Sequence, residues 1–196
     1  MFDKSFALFA MIIGLPIFMI ISLLIIFYDG FPVFFKHTRV GKDGKLIKVY
    51  KFRSMVKNAE EILKNDKELY SEYVKNGYKI DAKKDPRILP FGVFLRKSSL
   101  DEIPQFINVL KGDMVIVGPR PVVPNELETL YKEKSTIYES VKPGVTGLWQ
   151  VSGRANLKGE DRVKLDIEGV QKKSLFFDLY IIYKTVLEVF KRTGAY

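Results

Sequence analysis

Hydrophobic positions are distributed unevenly along the chain. Phe6 through Phe27 is an apolar run without a charged side chain, and nothing comparable follows it. A bilayer crossing takes about 20 apolar residues, so this run is long enough to cross. A cleaved signal peptide has a shorter apolar core and a small-residue cleavage site. Tyr28-Asp29-Gly30-Phe31-Pro32 offers no such site, so the segment is expected to stay attached. Gly14-Leu15-Pro16 falls in the middle of the run, where Pro16 lacks an N–H and crowds the preceding turn, and this predicts a bend. On the apolar pattern alone, a single kinked span is the simpler topology. A helix that turns at Pro16 and returns to the same face is the alternative.

Beyond this segment the pattern shortens. Phe34 to Val40 and Leu46 to Phe52 are strand-like runs around Lys42-Asp43-Gly44-Lys45, and an Asp-Gly pair between such runs predicts a β-hairpin. Lys57 to about Gly77 reads as a helix, with Glu60 four residues before Lys64 and apolar contacts from Ile62, Leu63, Leu69, Tyr70 and Tyr73. Leu175 to Arg192 spaces Phe176, Leu179, Ile182, Val186, Val189 and Phe190 along one helical side. Core packing is the default for that side, with membrane-surface contact as the alternative. No internal repeat or low-complexity linker interrupts the chain. One membrane anchor (1–30) carrying one compact domain (31–196) is therefore expected.

Composition narrows the chemistry. The 196 residues include 32 Lys+Arg against 23 Asp+Glu, a net charge of +9, which favours phosphate-bearing partners without choosing among nucleotides, nucleic acid and anionic lipid. The stretch from Lys36 to Arg53 is crowded with bases against the single acid Asp43, which assigns that side of the membrane to the cytoplasm. There is no cysteine, so disulfides, thiolate zinc sites and cysteine nucleophiles are excluded.

Candidate chemistry is concentrated in DPRILPFGVFLRKSSLDEIPQFINVLKGDMVIVGPRP, residues 85–121. Ser99-Leu100-Asp101-Glu102 matches a capping box, which is a purely structural reading. Pro104 disturbs it, either by removing an early backbone bond or by starting the helix later. In both cases Asp101 and Glu102 sit beside a helix N-terminus, which favours their ionised forms and suits one as nucleophile and the other as ligand of a hard cation. Lys51, Arg53, Arg96, Arg120 and Arg154 are bases that can hold phosphates. Arg120 and Arg154 stand out because each lies in a turn shaped by Gly or Pro. No Walker A run or Gly-x-Gly-x-x-Gly is present. His37 is assigned a structural role, and Trp149 either packs in the core or approaches a base or lipid.

The blocks PVFFKHTRVGKDGKLIKVYKFRSM, LRKSSLDEIPQFINVLKGDMVIVGPRP and KPGVTGLWQVSGR, in that order behind one hydrophobic segment, closely resemble the bacterial sugar transferases called monotopic phosphoglycosyl transferases. The resemblance extends over essentially the whole chain. It implies an α+β protein in which a re-entrant helix-break-helix anchor precedes a mainly helical cytoplasmic catalytic domain with a short hairpin and membrane-surface helices. It implies transfer of a phospho-sugar from a UDP-sugar to polyprenyl (undecaprenyl) phosphate at the cytoplasmic face of the bacterial inner membrane. The products are polyprenyl-diphospho-sugar and UMP, and nucleic acid is not an expected partner. By position, Asp101 is the implied nucleophile and Glu102, with Asp101, the implied site for Mg²⁺. Lys51, Arg96, Arg120 and Arg154 are the implied phosphate-binding set, and Asp166, an acid near the site, is counted with them as substrate-binding. The chain departs from the family pattern at Leu15, where many members have Ser, and at His37, Ala155 and Gly169. Two other functions compete: a membrane-tethered binding module without chemistry, and a nucleotide-sugar hydrolase that uses water as acceptor.

Overall fold

The computed structural model describes residues 2–75, 80–82, 84–153, 157 and 159–191. It is an α+β protein, mostly helical. A single helix α1 (Phe2–Asp29) is followed by the hairpin strands β1 (Phe34–Val40) and β2 (Leu46–Phe52), then α2 (Ala59–Asn65) and α3 (Lys67–Lys75). Next come α4 (Gly92–Lys97), α5 (Gln105–Lys111), β3 (Val115–Val117), α6 (Pro124–Glu126), α7 (Ser135–Glu139), β4 (Gly144–Thr146) and α8 (Leu148–Val151). The chain closes on α9 (Glu160–Gln171) and α10 (Leu175–Lys191).

The hairpin has the strand limits its sequence predicts, paired antiparallel from Phe34 opposite Phe52 to Val40 opposite Leu46. Asp43 and Gly44 both take positive φ in the connecting turn, which is the twist that matches two right-twisted strands. The segment expected to form one helix from Lys57 to about Gly77 is divided. Asp66 leaves helical geometry, and its carboxylate accepts from the backbone N–H of Leu69 at 2.9 Å, capping α3. Gly77 lies outside the described residues. A second sheet was not anticipated: β3 and β4 pair in parallel, Val115 opposite Gly144 and Val117 opposite Thr146. A Cβ on Gly144 would sit 2.2 Å from the Gly118 nitrogen, so only glycine lets these two loops close on each other.

Helical backbone continues through Gly14-Leu15-Pro16, so the turn expected near Pro16 is not a gap in α1. One stripe of α1 packs on the domain. Ala7 meets a cluster containing Val49, Val109, Met114, Ile116 and Ile181, while Ile21 and Ile25 join Val33, Phe52, Leu89 and Leu95. Phe18 packs on the second of these clusters, its ring centroid 4.8 Å from that of Phe52. The outward side, including Leu8, Phe9, Ile12, Ile13, Leu23 and Phe27, is exposed and apolar. By length and composition α1 can cross a membrane.

The last helix packs through only part of the side its spacing suggested, Ile182, together with Phe177 and Ile181 beside it. Ile181 is fully buried and Phe177 and Ile182 pack against the core, whereas Phe176, Leu179, Val186 and Val189 are exposed. Because α10 is apolar on more than one side, periodicity alone does not select the buried one.

Candidate active site

The dyad does not cap a helix. Ser99 takes a left-handed conformation (φ 58°, ψ 16°), and Leu100–Glu102 form a tight turn ahead of α5, which begins only after Pro104. Of the two readings of Pro104, the later helix start is therefore the observed one. The turn buries Asp101 and leaves Glu102 partly exposed.

Two features hold this turn against the hairpin. Asn108, one turn into α5 and fully buried, donates from Nδ2 to the Lys48 carbonyl at 2.7 Å, and its Oδ1 accepts the Tyr50 N–H at 3.0 Å. This fixes α5 to the edge of β2 and so sets the dyad opposite Lys51. The Lys51 ammonium then donates to Glu102 Oε1 at 2.6 Å and lies 3.7 Å from Asp101 Oδ2. Sequence reasoning did not identify Asn108. Its signal is a second amide one turn after Gln105 on the buried face of a short helix, where such a residue needs a partner.

Arg96 arrives from α4. Its Nε donates to Ser54 Oγ at 2.9 Å, and Ser54 follows directly on the hairpin. A Cβ at Gly92 would fall 2.3 Å from the Ser54 carbonyl oxygen, so glycine is what lets the first turn of α4 lie this close. The next arginine along the hairpin exit, Arg53, serves the anchor. Its guanidinium binds the Asp29 carboxylate and the carbonyls of Gly30 (2.6 Å) and Pro32 (2.8 Å by Nε), tying the end of α1 to the edge of the site.

Burial raises the Asp101 pKa to about 6; Glu102 pushes the same way, while the positive charges of Lys51 and Arg96 oppose it. A carboxylate with its pKa raised to about 6 is still mostly ionised at neutral pH and more basic than one in water.

Lys51, Arg96, Arg120, Asp101 and Glu102 line one cavity of 1140 Å³. Arg120 reaches it from the turn after β3, with its guanidinium 5.3 Å from the Trp149 ring centroid; Arg162 stacks on the same ring at 5.1 Å. Trp149 thus both packs and orients a cation, and its Nε1 donates to the Leu157 carbonyl at 3.0 Å. Asp166 does not line this cavity. It is buried behind the Arg120 turn, where it accepts from Tyr131 Oη at 2.6 Å and, at 3.4 Å, from the Arg120 N–H. Its carboxylate supports the backbone that presents Arg120. Arg154 lies outside the described residues. Arg87, Ser54 and Trp149, absent from the sequence-based set, also line the cavity. Arg87 is held by a two-point pair with Asp85, both contacts 2.8 Å. His37 accepts from Arg39 on the hairpin at 3.0 Å, in keeping with a structural role.

No cluster of three or more His, Cys, Asp or Glu side chains suited to a metal occurs among the described residues. The adjacent carboxylates of Asp101 and Glu102 still fit Mg²⁺, which commonly takes one or two protein carboxylates and completes its shell with water and substrate phosphate.

The site is thus a buried carboxylate beside a second acid, in a cavity lined by Lys and Arg side chains, in a protein whose first helix is long and apolar enough to cross a membrane. The chain belongs to the bacterial sugar transferase family, whose sequence profile matches residues 1–192. It is 49% identical to the undecaprenyl-phosphate galactose phosphotransferase of Salmonella typhimurium, over 86% of this chain and 35% of that protein. It is 41% identical to the exopolysaccharide production protein ExoY of Rhizobium meliloti, over 100% of this chain and 86% of the relative. Identity to the UDP-glucose:undecaprenyl-phosphate glucose-1-phosphate transferase of Escherichia coli is 42%, over 92% of this chain and 38% of that one. The chain therefore spans little more than a third of the Salmonella and Escherichia relatives and most of ExoY.

Proposed function

We propose that the protein transfers a phospho-sugar from a UDP-sugar to polyprenyl phosphate, releasing UMP and leaving polyprenyl-diphospho-sugar. The observation that carries this reading is the buried Asp101 beside Glu102, with Lys51 close to both carboxylates and Arg96 and Arg120 on the same cavity wall. An Asp101 oxygen attacks the phosphorus that bears the sugar, the bond from that phosphorus to the bridging oxygen breaks, and UMP departs with the bridging oxygen. A phosphate oxygen of the lipid then attacks the same phosphorus, and the Asp101 carboxylate is regenerated. A diphosphate repels an attacking carboxylate, so cations must offset its charge before attack is feasible. Lys51, Arg96 and Arg120 supply that charge, and Asp101 and Glu102 would hold Mg²⁺. When bound, the ion would withdraw charge from the diphosphate oxygens.

The reading requires the site to face the lipid headgroups, and α1 supports that placement. The Asp3 carboxylate accepts from the Ile116 N–H at 2.9 Å at one end of the helix, and Asp29 pairs with Arg53 at the other. Both ends therefore engage the same domain, which favours a re-entrant anchor over a span. The basic hairpin supports a cytoplasmic position for that domain, and the exposed apolar side of α10 suits contact with the membrane surface.

The test supplies the full chain, in detergent or nanodiscs, with a UDP-sugar in the presence and absence of polyprenyl phosphate. A transferase forms UMP and lipid-linked sugar together, and only with both substrates does turnover continue. Sustained UMP or UDP release without the lipid would make the protein a hydrolase, and binding without either product would make it a binding module.

A further inference from the structure

One buried charge has no part in the chemistry above. Arg162 lies on α9 with its side chain only 11% exposed, and it does not line the cavity of the dyad. Its guanidinium pairs with the Glu126 carboxylate at the end of α6, and its Nε lies 3.7 Å from Oδ2 of Asp166, one turn further along α9. Nε and Nη2 are buried without a hydrogen-bond partner among the described residues. Burying a guanidinium in this way is costly, and apolar side chains of similar size commonly stabilise a fold as well or better. Packing alone therefore does not account for an arginine at this position.

What Arg162 touches does account for it. Arg120 is held at two points: its backbone N–H is 3.4 Å from Asp166 Oδ1, and its guanidinium lies 5.3 Å from the Trp149 ring centroid. Arg162 bears on both supports. It lies beside the Asp166 carboxylate and 5.1 Å from the same ring centroid. Asp166 is fixed in turn by Tyr131 Oη at 2.6 Å, and Trp149 is itself buried. A planar guanidinium can stack on a ring while it pairs with carboxylates, which an ammonium does less well. The charges of Glu126 and Asp166 also offset that of Arg162, so a second cation, Arg120, can share the indole.

We propose that Arg162 is a positioning residue: acting through Trp149 and Asp166, it holds the Arg120 guanidinium toward the diphosphate. The assignment rests on the transferase reading above for the ligand that Arg120 receives. An arginine fixed at both its backbone and its guanidinium before substrate arrives loses little freedom on binding, so its charge is in place at the moment of attack. Freed from the ring, the same guanidinium would keep its charge and lose its direction.

Trp149 is the chain's single tryptophan, so its fluorescence reads this contact directly. In the full chain in lipid nanodiscs, with Asp101→Asn to keep the donor unreacted, a UDP-sugar titration should change the emission saturably. Arg120→Ala should abolish that change. Arg162→Lys, which keeps the charge and loses the flat stack, should raise the half-saturating concentration about tenfold. In steady state, Arg162→Lys should lower kcat/KM for the UDP-sugar about tenfold and Arg120→Ala about 100-fold, and the double variant should be no worse than Arg120→Ala alone. Trp149→Phe should give the same Arg120-dependent loss, which keeps the test decisive if Arg162→Lys folds poorly. Lys172→Met breaks another ion pair of α9, with Glu168 at 2.6 Å, and should leave kcat/KM unchanged. If the wild-type protein forms no lipid-linked sugar, the transferase reading itself falls. If it does form that product, the positioning role is overturned by an emission that ignores the UDP-sugar or still responds in Arg120→Ala. Wild-type kcat/KM in Arg162→Lys and Trp149→Phe, losses that multiply in the double variants, or an equal loss in Lys172→Met would overturn it as well.

Discussion

Asp101 carries opposed demands: it must be ionised to act, yet burial favours its neutral form. With its pKa raised to about 6, the neutral carboxyl's stabilising contribution is present below the ordinary carboxylate range and is lost as pH rises through 6. In metal-free protein, Asp101→Asn should therefore melt close to wild type at pH 4 and about 3 °C or more above it at pH 7.5, which a pH series of thermal melts will show. Equal melting temperatures at pH 7.5 would mean that the carboxylate is not strained by its surroundings. Glu102→Gln loses the charge in the 2.6 Å contact with Lys51 and weakens any hard-cation site. Its turnover should fall about 100-fold, with only partial recovery in excess Mg²⁺, as read from a Mg²⁺ titration of initial rates. The dyad was singled out by its resemblance to a family motif, because locally Ser99-Leu100-Asp101-Glu102 reads as a capping box, whereas Arg120 has a local signature in its Gly/Pro turn. The Lys51 to Glu102 contact was not legible, since it joins residues that only the fold brings together. Likewise, nothing local to Asp166 tells that its carboxylate faces Tyr131 and the Arg120 backbone, away from the cavity.

Among the elements, the hairpin and α5 matter most, because their junction fixes the distance between Lys51 and the dyad. Asn108→Ala leaves the Lys48 carbonyl and the Tyr50 N–H without their side-chain partner. Each buried orphan costs about 1–3 kcal/mol. The melting temperature should fall by about 5–10 °C, and turnover should fall further than that loss of folded protein explains; differential scanning fluorimetry alongside initial rates measures both. An unchanged melting temperature would remove Asn108 from the joint. Elements with a strong repeating pattern or a diagnostic turn were readable in advance, as the strand limits around Asp43-Gly44 show. Those specified by a single competing side chain were not: Asp66 ends α2 by capping α3, and no periodicity reveals that. The three-residue strands β3 and β4 are too short to carry a pattern and exist because Gly118 and Gly144 permit close approach.

At the scale of the whole molecule, the anchor and the active site are one construction. α1 packs on the same core as α5, Arg53 ties its far end beside Ser54, and its outward side is exposed and apolar. Cysteines introduced at Ser5 and near Asp29, leaving Asp29 itself in place, in a chain that has none, should both resist a membrane-impermeant thiol reagent until cells are permeabilised; labelling at position 5 from outside would establish a span. The apolar composition of α1 made a helix long enough to cross a membrane evident from the sequence, whereas the contacts at its two ends depend on the folded domain and were not visible there. The central claim is that Asp101 accepts the phospho-sugar. The most direct test is the intact mass of the full chain after incubation with a UDP-sugar alone. The wild-type protein should gain the mass of one phospho-sugar, lose it when polyprenyl phosphate is added, and show no gain as Asp101→Asn. An equal gain in the Asn variant, or none in a wild-type protein that turns over, would contradict the account.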